Sequence, residues 1–199
     1  MVERFEWLAQ QIVYRELRSN HDGEELRWVL THETIKDIET DIVCKRSLLR
    51  HPGVAAIVPI TAMDELLLIK QFRYSVKDTL WEIPAGTLQG EWRDGQMVAL
   101  ETAVTAAARE LREEAGLVAG RLDFLQKFYT TPGTSDGVVH LFLAFDLSED
   151  KALADIGEVI SKIEPFSISR ACDMIVRGEI CDAKTIIGIY GAKSYLEQR

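Results

Sequence analysis

Three glutamates lie close together in the segment 101–117, which reads ETAVTAAARELREEAGL. Glu110, Glu113 and Glu114 are separated by the spacing of a helical turn, which predicts that their side chains share one helix face. Glu110 and Glu114 would repel each other across that turn, at a cost of roughly 0.2–0.5 kcal/mol in an isolated helix. A hard divalent cation such as Mg²⁺ takes oxygen ligands of this kind and would remove the cost. The alternative is a solvated acidic face without chemistry, because runs of charge usually lie on the surface.

The apolar residues of the same segment predict how this helix is positioned. Four of them recur at helical spacing: Val104, Ala108, Leu111 and Ala115. We expect them to form a stripe that docks on the rest of the protein, with the acidic face presented outward. Gly116 is expected to end the helix, because glycine readily adopts the left-handed conformation found after a last helical turn.

The glutamates also belong to a longer pattern of fixed spacing. It begins at Gly95, continues with Glu101 and ends with the run RELREEAGL at 109–117. The pattern resembles the Nudix box, G-x5-E-x7-R-E-U-x-E-E-x-G-U with U aliphatic, and every specified position is filled. Fixed spacing over so many positions is far more specific than a lone Gly-rich turn. The resemblance implies that Glu110 and Glu114 are the first choice as metal ligands and that Glu113 is the next. Arg109 is expected to orient Glu113 from one helical turn away.

Two segments before the box resemble the ADP-ribose pyrophosphatase group of this family. They are QFRY at 71–74 and WEIPAG at 81–86. The resemblance implies that the nucleotide-sugar site is lined by Arg73, Glu82 and Gly86, and that the Ala85 carbonyl is a metal ligand. Each assignment has a simpler alternative: Arg73 would be a surface residue at a strand end, and Trp81 would serve packing rather than stack on a base.

Two glycines compete for the first position of the box. In the ADP-ribose pyrophosphatase group the box glycine ends a Pro-Ala-Gly turn, which here is Pro84-Ala85-Gly86. Both Gly86 and Gly95 cannot hold this position. We therefore expect an insertion of about nine residues between Gly86 and Glu101, with Gly95 matching by chance; the helix assignment is the same in either case.

The loop at 131–137, TPGTSDG, resembles the P-G-x-[ST]-[DST]-E loop of the same group. Its glutamate is often assigned as the base that activates water. This chain has Gly137 at the corresponding position, so the identity of the base is open. Asp136 and Glu158 are the candidates.

Composition limits the class of protein and of partner. The chain has 199 residues, a mass of 22.5 kDa and a net charge of −9, which argues against binding to a nucleic-acid backbone. A bound cation would still allow a small anionic ligand. No apolar run approaches the ~18 residues that span a bilayer, and the N-terminus lacks a signal-peptide core, so we expect a cytoplasmic protein without a membrane partner. The three cysteines, Cys44, Cys172 and Cys181, lack disulfide or zinc-site spacing and are expected to be reduced.

Patterning predicts two regions, an N-terminal β-rich extension at 1–50 and a catalytic domain at 51–199. Two strands, at 9–17 and 26–32, are expected in the extension, and two more, at 54–60 and 66–72, are expected to form a hairpin. The later elements are expected to be strands at 122–130, at 138–147 and within 154–167, a helix at 169–178 that ends at Gly178, and a closing helix capped by Asp182.

The resemblance covers roughly residues 50 to 190 and implies an α/β fold, a Nudix α/β/α sandwich with a mixed central sheet. The N-terminal antiparallel β extension is additional. The implied function is Mg²⁺-dependent hydrolysis, with Mn²⁺ as a substitute, of a nucleoside diphosphate sugar, with ADP-ribose giving AMP and ribose 5-phosphate as the favoured case. The alternatives are another nucleotide sugar such as GDP-mannose, a dinucleotide, or a sensor that binds nucleotide without cleaving it. The extension is expected to build a homodimer.

Overall fold

The computed structural model describes residues 4–20, 23–150 and 160–198. Its strands and helices follow one another along the chain as β1 (Phe5–Asn20), β2 (Gly23–Asp37), β3 (Val43–Arg50), β4 (Val54–Pro59), β5 (Glu65–Arg73), β6 (Asp78–Glu82), β7 (Ala85–Thr87), β8 (Gly90–Arg93), β9 (Gln96–Ala99), α1 (Ala103–Ala115), β10 (Leu117–Tyr129), β11 (Val138–Glu149), β12 (Ile160–Ser167), α2 (Ile168–Val176) and α3 (Ala183–Leu196). The strands form sheets with the orders β1-β2-β3, β10-β11-β4-β7, β12-β5-β6 and β8-β9.

The N-terminal sheet is antiparallel throughout, and its strands are longer than the two predicted at 9–17 and 26–32. β3 is the third strand of this sheet, and the sequence analysis did not predict it within residues 1–50. A hairpin of two strands is only marginally stable in water, and a third strand is what usually makes such a sheet stable.

The central sheet is mixed, because β4 runs parallel to β11 and antiparallel to β7. The predicted hairpin of β4 with β5 is therefore wrong: the two strands lie in different sheets, and an isolated bridge between Ile60 and Leu66 joins them. The physical reason is that β4 is buried on both faces, from Ala55 to Pro59. A strand of that kind needs a neighbour along each edge and packing on each side.

Helices pack on both sides of this sheet, and β4 alternates between them. Ala55 and Ile57 face α1, whereas Ala56 and Val58 face the side covered by α2 and α3. This alternation follows from the two-residue period of a strand. The core is thus a sandwich of helix, sheets and helices. None of the described helices has the length and apolar character needed to cross a membrane.

Helix α1 has the predicted limits but a different buried face. Thr102 caps its start, and Gly116 ends it with φ of 65°, as expected. The predicted apolar stripe is only partly right: Leu111 is buried, but Val104 is 47% exposed and Ala108 is also exposed. The side chains that α1 buries are those of Ala106, Ala107, Glu110, Leu111 and Glu114. The acidic face therefore does not point outward, because two of its glutamates are turned toward the sheet.

The closing elements agree with the sequence. Gly178 follows α2 with φ of 74°, in the left-handed region that its predicted position after the helix requires. Asp182 caps α3, because its side chain accepts a hydrogen bond from the backbone N–H of Thr185. The strand predicted within 154–167 is β12, in the part of that segment that the structure describes.

Candidate functional site

The sequence analysis expected a turn at Pro84-Ala85-Gly86, but Ala85 and Gly86 begin β7 and pair with Ala56 and Ala55 of β4. The segment, for which we keep the name Pro-Ala-Gly turn, lies at the edge of the central sheet beside α1. Ile57 of β4 donates its backbone N–H to the Pro84 carbonyl at 2.9 Å, and the backbone N–H of Ala85 donates to Oε2 of Glu114 at 2.8 Å. A Cβ atom added to Gly86 would lie 1.9 Å from Oε1 of Glu110. The structure therefore brings two predicted metal ligands, 3% and 4% exposed, against the turn that the sequence assigned to the same site.

The two glycines that compete for the start of the box have different surroundings. Gly86 has the Glu110 carboxylate against its Cα, so the glutamate occupies the space that a side chain would need. Gly95 lies in the turn of the β8–β9 hairpin, where Asp94 and Gly95 both have positive φ, 50° and 83°. This is the conformation of a tight hairpin turn, and an Asp-Gly pair suits it. The expected insertion is thus this hairpin, and Gly86 is the glycine beside the helix.

Arg109 stands among the box carboxylates. Its Nη1 donates to Glu110 at 2.7 Å and to Glu113 at 3.0 Å, and its Nη2 donates to Glu101 at 2.9 Å. Burial alone would lower the pKa of Arg109, but the charges of these carboxylates outweigh burial and raise the pKa above the ordinary arginine value. Arg109 is therefore a permanent cation that orients Glu113, as predicted from their spacing. The sequence analysis did not find that Glu101 is held by the same guanidinium.

The donor atoms at the turn suit a hard cation. Among the described residues, no three His, Cys, Asp or Glu side chains converge into a ready-made metal centre. Mg²⁺ is usually held by one or two carboxylates, while phosphate and water oxygens complete its shell. Buried Glu110 and Glu114 provide such a pair, so the residues present fit the cation. Glu113 is 25% exposed and pairs with Arg109, and the observed contact of Ala85 is through its N–H, so the ligand roles of Glu113 and of the Ala85 carbonyl stay predictions.

Arg73 and Glu82 lie together on the far side of the turn. Nε and Nη2 of Arg73 donate to the two carboxylate oxygens of Glu82 at 2.7 and 2.6 Å, and Lys184 donates to the same carboxylate. Glu82 is 1% exposed. Burial alone would raise its pKa, but the hydrogen bonds from Arg73 and the charge of Lys184 outweigh burial and lower the pKa. Glu82 is thus an anion that holds Arg73. Trp81 packs edge-on against Phe166, as the packing alternative expected.

The loop at 131–137 is tied to the N-terminal sheet through Asp136. Its carboxylate accepts a hydrogen bond from Arg50 at 3.0 Å and one from the backbone N–H of His51 at 2.9 Å. Arg50 in turn donates to Glu33, which is buried in β2. Asp136 therefore anchors the loop, and its role as a base stays a prediction. Glu158, the other candidate base, lies outside the described residues.

His51 packs closely against Gly137. A Cβ atom on Gly137 would lie 3.1 Å from Cβ of His51 and 3.3 Å from its Cγ, which is closer than ordinary packing. Nδ1 of His51 accepts a hydrogen bond from the backbone N–H of Gly53 at 3.0 Å. Burial, together with the positive charge of Arg27, lowers the pKa of His51 to about 4. His51 is thus neutral near pH 7, with its proton on Nε2. A lone histidine gives no sequence signal of such a position.

Arg27 brings a positive charge from the N-terminal sheet to this region. Its Nη2 donates to the Thr87 hydroxyl at 3.4 Å, and its Nε is buried without a hydrogen-bond partner among the described residues. The backbone carbonyl of Thr87 accepts a hydrogen bond from Arg109 at 3.4 Å. Thr87 therefore contacts both arginines, one from β2 and one from α1. The sequence analysis did not identify Arg27, because no motif includes it.

Comparison with known proteins gives the family of this chain. A family model described as the NUDIX domain matches residues 49–184. The chain belongs to the Nudix family. An ADP-ribose pyrophosphatase of Bacillus subtilis (strain 168) is 36% identical over 147 residues, which cover 73% of this chain and 74% of that protein. A methanol dehydrogenase activator of Bacillus methanolicus is 34% identical over the same length, with the same two coverages.

The Nudix fold of this chain is also that of a solved structure. A crystal structure of an ADP compounds hydrolase matches with a TM-score of 0.76 and 17% identity, and the match covers 100% of this chain and 97% of that chain. At this identity the match speaks for the fold alone. The predicted family, fold class and enzyme class are confirmed: the protein is a Nudix hydrolase with a mixed α/β core.

Proposed function

We propose that this Nudix hydrolase cleaves the diphosphate of a nucleoside diphosphate sugar, with ADP-ribose as substrate and AMP and ribose 5-phosphate as products. The observation that supports the proposal is the pair of buried glutamates, Glu110 and Glu114, held against the turn Pro84-Ala85-Gly86. Two carboxylates, beside a turn that leaves no room for a side chain, suit a cation that is shared with a diphosphate. The similarity to an ADP-ribose pyrophosphatase favours the choice of sugar nucleotide.

Each residue of the site has a distinct part in this proposal. Glu110 and Glu114 hold Mg²⁺, which when bound would neutralise diphosphate charge and lower the pKa of a coordinated water. Arg109 keeps Glu113 and Glu101 in place, so that the acidic cluster is fixed before substrate arrives. Arg73 binds a phosphate oxygen of the substrate. Its Nη1 is the guanidinium nitrogen that takes no part in the pair with Glu82.

A panel of substrates tests this function directly. Purified protein is incubated with ADP-ribose, GDP-mannose, other nucleotide sugars, and flavin and nicotinamide dinucleotides, with Mg²⁺, with Mn²⁺, or with a chelator. The products are separated by chromatography. We expect AMP and ribose 5-phosphate from ADP-ribose, the highest kcat/KM for this substrate, and no turnover with chelator. A higher kcat/KM for GDP-mannose would reassign the substrate, and metal-dependent binding without any product would favour the sensor alternative.

We further propose that the N-terminal extension, residues 1–50, is a separate dimerisation element of a two-domain chain and that its sheet joins two copies. Its strands and turn leave large apolar side chains between 45% and 64% exposed: Phe5, Trp7, Leu8, Val13, Tyr14, Leu17, Ile38, Ile42 and Val43. So many exposed large apolar side chains in one sheet are more than single scattered residues would explain, and they favour an interface. Self-association with two-fold symmetry is the commonest arrangement that would cover it. The cytoplasmic location expected from the sequence remains a prediction, which cell fractionation would test.

A further inference from the structure

The first turn of α3 is bonded to the strand end that leads into the active-site turn. Asp182, the helix cap, accepts hydrogen bonds from the backbone N–H of Thr185 at 3.0 Å and from its hydroxyl at 2.6 Å. The Thr185 hydroxyl oxygen accepts from the backbone N–H of Ile83 at 2.9 Å, and Thr185 is fully buried. Ile83 lies between Glu82 and the turn. The C-terminal helix therefore fixes the backbone that carries both.

Lys184 adds a charge to this junction. Its ammonium group donates to Oε2 of Glu82 and, at 3.0 Å, to Oδ2 of Asp182. The Lys184 side chain is only 13% exposed, and that of Glu82 is 1% exposed, so water screens this pair poorly. Arg73, whose side chain is 36% exposed, donates to both oxygens of the same carboxylate, including the Oε2 atom that Lys184 contacts. One buried carboxylate is thus shared between a partly buried lysine and a more exposed arginine.

The charges of these four side chains sum to zero: two cations, Arg73 and Lys184, face two anions, Glu82 and Asp182. Without the Lys184 charge the sum would be −1, and Arg73 alone would have to neutralise buried Glu82. An arginine that neutralises a carboxylate attracts a diphosphate weakly, because the two charges cancel at the distance of the substrate. With Lys184 present, the charge of Arg73 remains effective toward a phosphate.

We propose that Lys184 is a positioning residue for substrate binding: it neutralises Glu82, so that Arg73 stays oriented and electrostatically available for the substrate's diphosphate. The inference rests on the proposed function, in which Arg73 binds phosphate. It assigns a part in substrate binding to α3, a helix outside the Nudix box. Lys184 itself touches no reacting atom in this scheme.

Substitutions at Lys184 and at Asp182 test the proposal, because loss of charge at the two positions is expected to have opposite effects. Lys184→Met keeps the length of the side chain and removes its charge, whereas Lys184→Arg keeps the charge. Asp182→Asn removes an anion and retains a good helix cap, because asparagine is also preferred there. Arg177→Met is the matched control, since it removes a cation from an exposed ion pair with Glu179.

The measurements are KM and kcat for the best substrate, and the Kd of ADP with Mg²⁺ by calorimetry. We expect Lys184→Met to raise KM and Kd about tenfold, with kcat within about twofold, from the loss of one weakly screened charge. Lys184→Arg should remain within about threefold of wild type, and Asp182→Asn should tighten ADP binding about two- to threefold. The control should change neither constant.

The results separate this proposal from its simpler rival and from the function itself. If Lys184 served stability alone, Lys184→Met and Asp182→Asn would both lower the folded fraction and hence kcat at constant KM. An unchanged KM in Lys184→Met, or weaker ADP binding in Asp182→Asn, overturns the proposal. Should Lys184→Met fail to fold, tightening by Asp182→Asn still supports the proposal, and absence of tightening overturns it. If wild-type protein cleaves no nucleotide sugar, the proposed function fails, but ADP calorimetry still decides the role of Lys184.

Discussion

The carboxylate of Glu110 rests on the Cα of Gly86, so closely that a Cβ atom at position 86 would lie within 2.3 Å of both carboxylate oxygens and of the carbon between them. Glu110 lies in α1 and Gly86 lies before the β8–β9 hairpin, so the contact joins residues on either side of that hairpin in the sequence. The atoms that would clash belong to the end of a flexible side chain. A larger residue at position 86 would therefore displace the carboxylate rather than the backbone.

Gly86→Ala should consequently damage the site and leave the fold nearly intact. We expect kcat/KM to fall by about 100-fold, because displacement of a metal ligand removes its contribution to transition-state binding, while Tm changes by a few degrees at most. Gly95→Asn is the matched control, since asparagine tolerates the positive φ of that hairpin turn and should retain activity. If the two substitutions had equal effects on kcat/KM, Gly86 would not be the glycine of the box.

Glu114→Gln tests the metal site itself. Glutamine keeps an oxygen that can accept the hydrogen bond from Ala85, so the turn remains attached to α1. It lacks the negative charge that a hard cation requires, and we expect kcat to fall by about 100-fold or more at saturating Mg²⁺. Glu197→Gln, at an exposed glutamate after α3, is the control. Activity close to wild type in Glu114→Gln would refute the assignment of this helix face.

His51 predicts a pH dependence of stability. Its pKa is about 4 in the folded protein and about 6.5 when unfolded, so between these values the unfolded chain binds a proton that the folded chain does not. The free energy of unfolding should therefore decrease as pH falls from 6.5 to 4, by on the order of 2–3 kcal/mol from this residue, and should not depend on it above 6.5. Denaturant titrations of wild type and His51→Gln at pH 7 and pH 4.5 measure the difference. If the difference in the free energy of unfolding between wild type and His51→Gln were the same at both pH values, the predicted pH dependence from His51 would be wrong.

The contacts of Asp136 change the expectation for the catalytic base. Because its carboxylate is already bound by Arg50 and by the backbone N–H of His51, it is poorly placed to accept a proton from water. We expect Glu158→Gln to lower kcat by 10²–10⁴-fold, the usual contribution of a general base, and Asp136→Asn to lower it by less than about tenfold. Glu164→Gln, at a half-exposed glutamate of β12, is the control. The reverse order of effects would return the role of base to Asp136.

The proposed dimer can be tested by light scattering. Full-length protein should have twice the chain mass of 22.5 kDa. Lysines at Val13 and Leu17, both about half exposed on β1, should give a monomer, because burying their charges at an interface would be costly. Val176→Lys, at an exposed valine of α2, should leave the mass unchanged. Wild-type protein that scatters as a monomer at micromolar concentration while it hydrolyses substrate would exclude the dimer requirement.

Sequence analysis identified the residues that belong to motifs of fixed spacing. Glu110, Glu114 and the turn at Ala85 and Gly86 were predicted from their motifs, and the structure brings them together. The face of α1 was predicted only at Leu111, for a physical reason: the helix docks through Leu111 and two small residues, Ala106 and Ala107, together with two charged ones. A search for an apolar stripe assumes that charged side chains point outward, and here they are buried against a turn.

The remaining errors concern contacts between distant parts of the chain. β4 takes β11 as its parallel partner, and its register, such as Val139 opposite Val54, depends on packing that no local pattern reports. His51 and Asp136 meet in the same way, through a loop and the end of the N-terminal sheet. Residues of this kind carry ordinary local propensities, so their roles emerge only when the sheets are assembled.

The two ends of the β8–β9 hairpin lie next to each other, because the backbone N–H of Leu100 donates to the Gln89 carbonyl at 2.8 Å. The backbone N–H of Gln89 donates to Glu101 at 2.9 Å, which attaches these ends to the residue just before the cap of α1. Residues 90–99 thus form a hairpin that is closed at its base by a backbone hydrogen bond. Because β8 packs on β2 and Gly90 lies against Pro52, the strands of this hairpin belong to the fold, and the place for a longer turn or a reporter peptide is its tip at Asp94 and Gly95. A protein engineer would place an insertion here.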